Sequence, residues 1–163
     1  LAHRFERLDE SLQIAHAMWS GTTRPFYGKH FQLNEPLNSP PPLSTPHPPI
    51  LVGGGGEHKT LRLVARYADA CNLFTRYGKA ELARKLDKLR GYCEEAGRPY
   101  AAIDRTTLGQ WDPLRRSAQA LIDELGELHE LGVTTAIVSL RAVESLQPLE
   151  IIARDVLPHA ERL

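Results

Sequence analysis

The 163-residue chain holds two cysteines, Cys71 and Cys93, and a single methionine. Two widely spaced cysteines exclude a disulfide framework and a cysteine-based zinc site. Charge of one sign is also missing: 20 Lys and Arg balance 20 Asp and Glu. A neutral chain has no electrostatic basis for a nucleic-acid or membrane partner. No window approaches the roughly 20 apolar residues of a membrane span. The opening stretch LAHRFERLDESLQ lacks the apolar core of a signal peptide, so a reducing cytoplasm is the expected compartment. No Ser-His-Asp set, metal cluster or paired carboxylate stands out, so no metal is expected. The chain starts at Leu1 without an initiating Met and enters a helical pattern at once, which reads as a fragment of something longer.

What is present is ordinary for one soluble domain: 42 % apolar and 25 % charged residues, enough for a sizeable core. Residues 1–20 read as a leading helix, with Phe5, Leu8, Leu12, Ala15 and Met18 at helical spacing over 4–19 and Gly21 after it. Residues 21–49 hold prolines at 25, 36, 40, 41, 42, 46, 48 and 49, eight of the chain's twelve. Such a segment suits neither helix interior nor central strand, and it is expected to form a long surface loop with a small hairpin around Phe26–Phe31. Residues 50–163 alternate. Strand patterns at 50–53, 69–74, 103–108 and 134–140 are followed by helical patterns at 57–67, 79–96, 115–131 and 145–161. Four such units argue for a parallel α/β sheet, open or closed into a barrel. Their similar length, with one leading helix, fits half of an eight-unit (β/α) barrel. Half a barrel leaves sheet edges unsatisfied, which implies a missing half or closure as a dimer.

The most informative stretch is Ile50-Leu51-Val52-Gly53-Gly54-Gly55-Gly56-Glu57-His58-Lys59-Thr60. Apolar strand residues feed four glycines, and a helix pattern follows. Without Cβ atoms the turn can take φ > 0 and let a ligand approach its amides. A helix N-terminus beyond it favours an anion. A phosphate-bearing cofactor or substrate is therefore expected. The structural alternative, a sharp turn with close helix–strand packing, needs only one or two glycines. Two nucleotide patterns fail at His58, which stands where G-x-x-x-x-G-K-[ST] and G-x-G-x-x-G need glycine. The other polar residues have plainer readings: Asp69 as a local cap or pair, Cys71 as a small core residue, His58 as a surface helix residue, and His30 and His47 as solvated loop residues. Arg62 and Arg66 are expected in surface pairs, and Trp19 and Trp111 over the core or an interface.

The segment PPILVGGGGEHKTLRLVARYADACNLF resembles the luciferase-like monooxygenase family, in particular its branch using the deazaflavin coenzyme F-420. RFERLDESLQIAHAMW, PFYGKHFQL and EPLNSP before it, and RKLDKLRGYCEEAGR and LGVTTAIVSL after it, extend the resemblance over nearly the whole chain. The resemblance implies a TIM-type barrel of which this chain is the C-terminal half, the first half carrying the residues nearest the chemistry. It implies that the Gly53, Gly54, Gly55 and Gly56 amides contact the cofactor phosphate. Thr75, Arg76 and Lys79 follow the next strand and are the corresponding rim candidates, with solvated rim charge as the alternative for Arg76 and Lys79. The implied activity is hydride transfer between F-420 and a small organic substrate. The alternatives are an FMN-dependent monooxygenase of the same family, a non-catalytic half-barrel or split subunit, and another phosphate-binding barrel enzyme of sugar or nucleotide metabolism.

Overall fold

Arg4–Trp19 forms α1, the helix whose periodicity the leading segment carries. The computed structural model describes residues 2–142 and 144–163; Leu1, where the expected leading segment begins, lies outside them. One α1 residue departs from the apolar pattern. Glu10 is buried beside Leu12, because its carboxylate collects backbone donors from the proline-rich segment. There β1 (Phe26–Tyr27) and β2 (Gln32–Leu33) pair antiparallel. Their connecting turn places the N–H groups of Lys29, His30 and Phe31 at 2.8, 2.9 and 2.9 Å from the Glu10 carboxylate oxygens. Gly28 is required at this turn, since a Cβ there would strike the same carboxylate. Burial raises the Glu10 pKa, but the three amides outweigh it and hold the carboxyl below its ordinary value.

The four expected strands are β3 (Leu51–Gly53), β4 (Ala70–Phe74), β5 (Asp104–Trp111) and β6 (Thr135–Leu140). They form one parallel sheet in the order β3-β4-β5-β6. Between them run α2 (Thr60–Tyr67), α3 (Lys79–Glu95) and α4 (Ala118–Glu130). Two of these helices start later than the periodicity implies. Residues 57–59 form a turn that delivers the Glu57 side chain to α3, and α4 waits for Ser117, whose hydroxyl accepts from the Ala120 amide at 3.2 Å as an N-cap. β5 runs three residues past its expected end, to a buried Trp111.

Alternate strand residues face opposite sides of the sheet. The outward set includes Val52, Cys71 and Leu73, which join Leu61, Val64, Leu82, Leu86, Leu89 and Cys93 of α2 and α3 in the main core. In α2 and α3 the lines of apolar residues read from the sequence are the lines buried, whereas Leu8 of the first helix and Leu149 of the last remain exposed. A second cluster forms where Trp111 meets Leu121 of α4 and Val156. Burial pushes the Cys71 thiol up to about 11, so it is an un-ionised packing residue.

The inward set lies in rows across the strands: Leu51, Ala70 and Asp104; then Gly53, Asn72, Thr106 and Thr135; then Phe74, Leu108 and Ile137; then Gln110 and Ser139. Among the described residues this face carries no helix, and Leu51 and Ile137 remain 53 % and 44 % exposed. Parallel sheets ordinarily have both faces covered, so the arrangement is that of an opened barrel wall with helices on its convex side.

The last expected helix, 145–161, is not continuous. It comprises α5 (Gln147–Ile151), a wide π turn over Ile152–Val156, and α6 (Leu157–Ala160). The cause is Pro158. Its ring clashes with the carbonyl four residues back and it brings no N–H, so the turn before it opens and the Leu157 amide bonds to the Ile152 carbonyl five residues earlier.

Candidate functional site

The C-terminal ends of β3 and β4 lie side by side, so their loops share one rim. At the first, Gly53 completes the ladder opposite Asn72, and Gly54, with φ of +115°, turns the chain away. That backbone angle strains any residue with a Cβ. The Gly54 amide donates to the Asn72 carbonyl at 3.0 Å. Among the described residues the Gly55 and Gly56 amides have no such acceptor. A Cβ on Gly55 would come within 2.9 Å of the Tyr77 ring, and one on Gly56 within 2.8 Å of the Thr60 hydroxyl. Two of the four glycines are therefore set by close packing and one by backbone geometry. A Cβ at Gly53 meets nothing within 4 Å.

The second loop is the short 3-10 turn Thr75–Tyr77, followed by Gly78 with φ of +79°. Gly78 stands at the start of α3, whose first turn has no side-chain cap. The free N–H groups of a helix start favour an anion. Tyr77 reaches back to Gly55, and behind both lies Lys85 of α3. Lys85 is 6 % exposed. Its ammonium donates to the Gly55 carbonyl at 2.9 Å and contacts Glu57 at 3.1 Å and Glu81 at 3.0 Å. Burial lowers the Lys85 pKa, but the two carboxylates outweigh it and the ammonium is held above its ordinary value.

The expected rim residues divide. Thr75 packs its hydroxyl against Gly109, where a Cβ would stand 2.9 Å away. Arg76 is exposed, with its guanidinium 4.2 Å from the Phe74 ring centre. Thr75 and Arg76 line a cavity of about 420 Å³ with Phe74, Leu108, Gln110 and Ser139 on the inward face. Lys79 turns away, pairing with Glu130 at 3.2 Å and Glu127 at 3.9 Å on α4. His58 is exposed on the turn before α2.

Several plain readings hold. Arg62 and Arg66 pair with Glu95 and Asp9 at the surface; Asp69 is structural as expected but not local, accepting from the Ile50 amide of the preceding strand segment at 2.8 Å. The two loop histidines are a correction. His47 stacks on Trp19 with centroids 5.6 Å apart, and His30 lies 2.7 Å from Glu6. Both find partners on α1, a helix distant in sequence, so no local pattern marks them. Lys85 and Glu10 were also missed. The only available signal was a charged residue on the apolar side of a helix.

A parallel four-stranded sheet with helices on one side, and a glycine turn and an uncapped helix start at its C-terminal rim, is the arrangement of a segment of an α/β barrel. The model of the luciferase-like monooxygenase family matches residues 1–135, and the chain belongs to that family. Solved structures share the fold at low identity. An F-420-dependent secondary alcohol dehydrogenase, in complex with an F-420–acetone adduct, matches with a TM-score of 0.84 and 16 % identity over 98 % of this chain and 63 % of its own. EDTA monooxygenase from Chelativorans matches with a TM-score of 0.76 and 15 % identity over 99 % of this chain and 60 % of its own. A riboflavin lyase, with modified FMN and riboflavin, matches with a TM-score of 0.77 and 11 % identity over 98 % of this chain and 57 % of its own. The chain thus spans about three fifths of the length of these structures. No helix of the described residues is long and apolar enough to cross a membrane.

Proposed function

We propose that this chain is the C-terminal, phosphate-anchoring part of an oxidoreductase that moves a hydride between coenzyme F-420 and a small organic substrate. The observation that carries this reading is the glycine turn at the end of β3, with the Gly55 and Gly56 amides unengaged beside the uncapped start of α3. A phosphate there would meet bare backbone on one side and a helix dipole on the other. Gly53 and Gly54 shape the approach, the Thr75 hydroxyl and the Arg76 guanidinium border it, and Lys79 reaches it by leaving Glu127 and Glu130. The open space beside Gly53 and the unengaged amides of Gly55 and Gly56 suit a phosphate-bearing cofactor.

When bound, the deazaflavin supplies a ring that accepts or donates hydride. The chain's own part is to bind and orient. The turn fixes one end of the cofactor, and the apolar row Phe74, Leu108 and Ile137 gives a surface for a planar group to lie on. The groups nearest the reacting atoms belong to the N-terminal part that longer relatives carry, or to a second copy of the chain in a homodimer. The small-molecule substrate and a cytoplasmic setting belong to the same proposal.

FMN is the second reading, supported by the riboflavin lyase whose structure holds a modified FMN. Titration of the protein with F-420 and with FMN, followed by fluorescence, separates the two. Gly54→Asp places a carboxylate at the turn and forces a side chain onto a φ of +115°. It is expected to weaken cofactor binding at least tenfold while the protein keeps its helical signal. Unchanged affinity would remove the turn from the site, and binding of neither cofactor would favour a non-catalytic half-barrel or split subunit.

A further inference from the structure

Away from the sheet, the start of α1 and the β1–β2 turn bring three ligand-type side chains to one point. Glu6 Oε2 lies 3.3 Å from His3 Nδ1 and 2.7 Å from His30 Nε2. One ligand atom from each residue fits within 4.8 Å of the others, and the two imidazole centres are 5.2 Å apart. Donors sharing a tetrahedral zinc ion stand roughly 3.3 Å apart, given bonds of about 2.0–2.1 Å. The two contacts to Glu6 are already near that value, so closure falls mainly on the gap between the histidines. His3 and Glu6 are both surface side chains at a helix start and are free to make it.

The arrangement crowds one atom. Glu6 Oε2 faces His3, His30 and also Lys29 Nζ at 2.8 Å, three nitrogen groups on a single carboxylate oxygen. A divalent ion between the imidazoles and the carboxylate would satisfy all three ligand residues with one charge centre. Lys29 is 66 % exposed and can withdraw into water. His30 is different, with its side chain only 10 % exposed. Its backbone amide is pinned by Glu10 at 2.9 Å, so the carboxylate beneath the turn sets where the imidazole stands. Such supporting contacts are what orient metal ligands.

We propose that His3, Glu6 and His30 form a three-ligand site for a divalent transition-metal ion of the zinc class, with water as the fourth ligand. Two imidazoles and one carboxylate suit zinc and its neighbours better than calcium or magnesium, which prefer all-oxygen sets. The ion clips the hairpin, and with it the root of the proline-rich segment, onto α1.

The test uses the tag-free 163-residue chain, stripped with chelator and titrated with zinc chloride by calorimetry at neutral pH. Cobalt(II) absorption reports tetrahedral geometry. One ion per chain is expected. Affinity should fall about 100-fold in His3→Ala and in His30→Ala, and stay unchanged in His159→Ala. Zinc should raise the melting temperature of the unaltered chain and not that of His3→Ala. Position 3 is exposed at the helix start, so His3→Ala decides the matter even if His30→Ala unfolds. No stoichiometric binding, or equal binding by His3→Ala and the unaltered chain, would overturn the site and leave the cluster as an ion-pair latch.

Discussion

The buried ammonium of Lys85 donates to the Gly55 carbonyl at 2.9 Å, so a helix side chain holds the glycine turn from behind. The turn would otherwise be four residues of high backbone entropy. Lys85 reads the carbonyl side, and the Gly56 amide of the same peptide unit is thereby aimed the other way. Its charge does not stand alone. Glu57 and Glu81 flank it, Arg84 bridges both carboxylates, and the Tyr77 ring lies 4.9 Å from the ammonium.

Lys85→Met keeps the length of the side chain and removes the donor. Loss of charged hydrogen bonds at a buried position is expected to cost about 2 kcal/mol, lowering the melting temperature by roughly 4–8 °C for a chain of this size. Cofactor affinity should fall as well, because the turn loses its fixed carbonyl. A variant that melts with the unaltered protein would show that Lys85 does not hold the turn.

The same cluster sets a pH dependence. Lys85 and Arg84 lower the Glu57 pKa, and Arg84 and Lys85 lower that of Glu81, from the ordinary 4.5. A carboxylate depressed on folding contributes stability that is complete above its unfolded pKa and lost as pH falls through the folded value. The melting temperature should therefore decline below about pH 4.5, and Lys85→Met should flatten that decline. Lys85 itself is raised on folding, so its share persists below its ordinary 10.5 and is lost only as pH rises through the folded value. Melts recorded from neutral to acid pH on both proteins check the slope.

Gly55→Ala tests the packing of the rim. The added methyl meets the Tyr77 ring at 2.9 Å, and overpacking of this kind costs about 1–3 kcal/mol. Tyr77→Leu should recover part of it, giving a non-additive double-mutant cycle. Gly53→Ala, with nothing within 4 Å of its Cβ, should be the milder change. Denaturant midpoints for the four proteins read the coupling, and strict additivity would refute the contact.

Where hydrophobic period alone decides, the sequence was a sufficient guide. α1 ends where its pattern ends, and Leu82, Leu86, Leu89 and Cys93 form the buried line of α3. β5 was harder, because Asp-Arg-Thr-Thr-Leu-Gly-Gln-Trp has few apolar residues and owes its strand to neighbours on both sides. The broken final helix was legible in principle from Pro158, but the apolar spacing of Ile152, Val156 and Ala160 obscured it. At the rim the glycine run marked the tight turn after β3, while Lys85 and Tyr77, which hold it, depend on long-range contacts that no local pattern encodes. The same is true of Glu10 beneath the hairpin turn.

The strand order β3-β4-β5-β6 is also the order in which the chain is written. Each strand therefore docks on the one synthesised just before it, with a single helix between. Among the described strands each pairing joins sequence neighbours, so this part of the sheet can be built by successive nearest-neighbour steps. β6 is the edge strand beyond β5, so loss of its pairing would leave the rim formed by β3 and β4 intact.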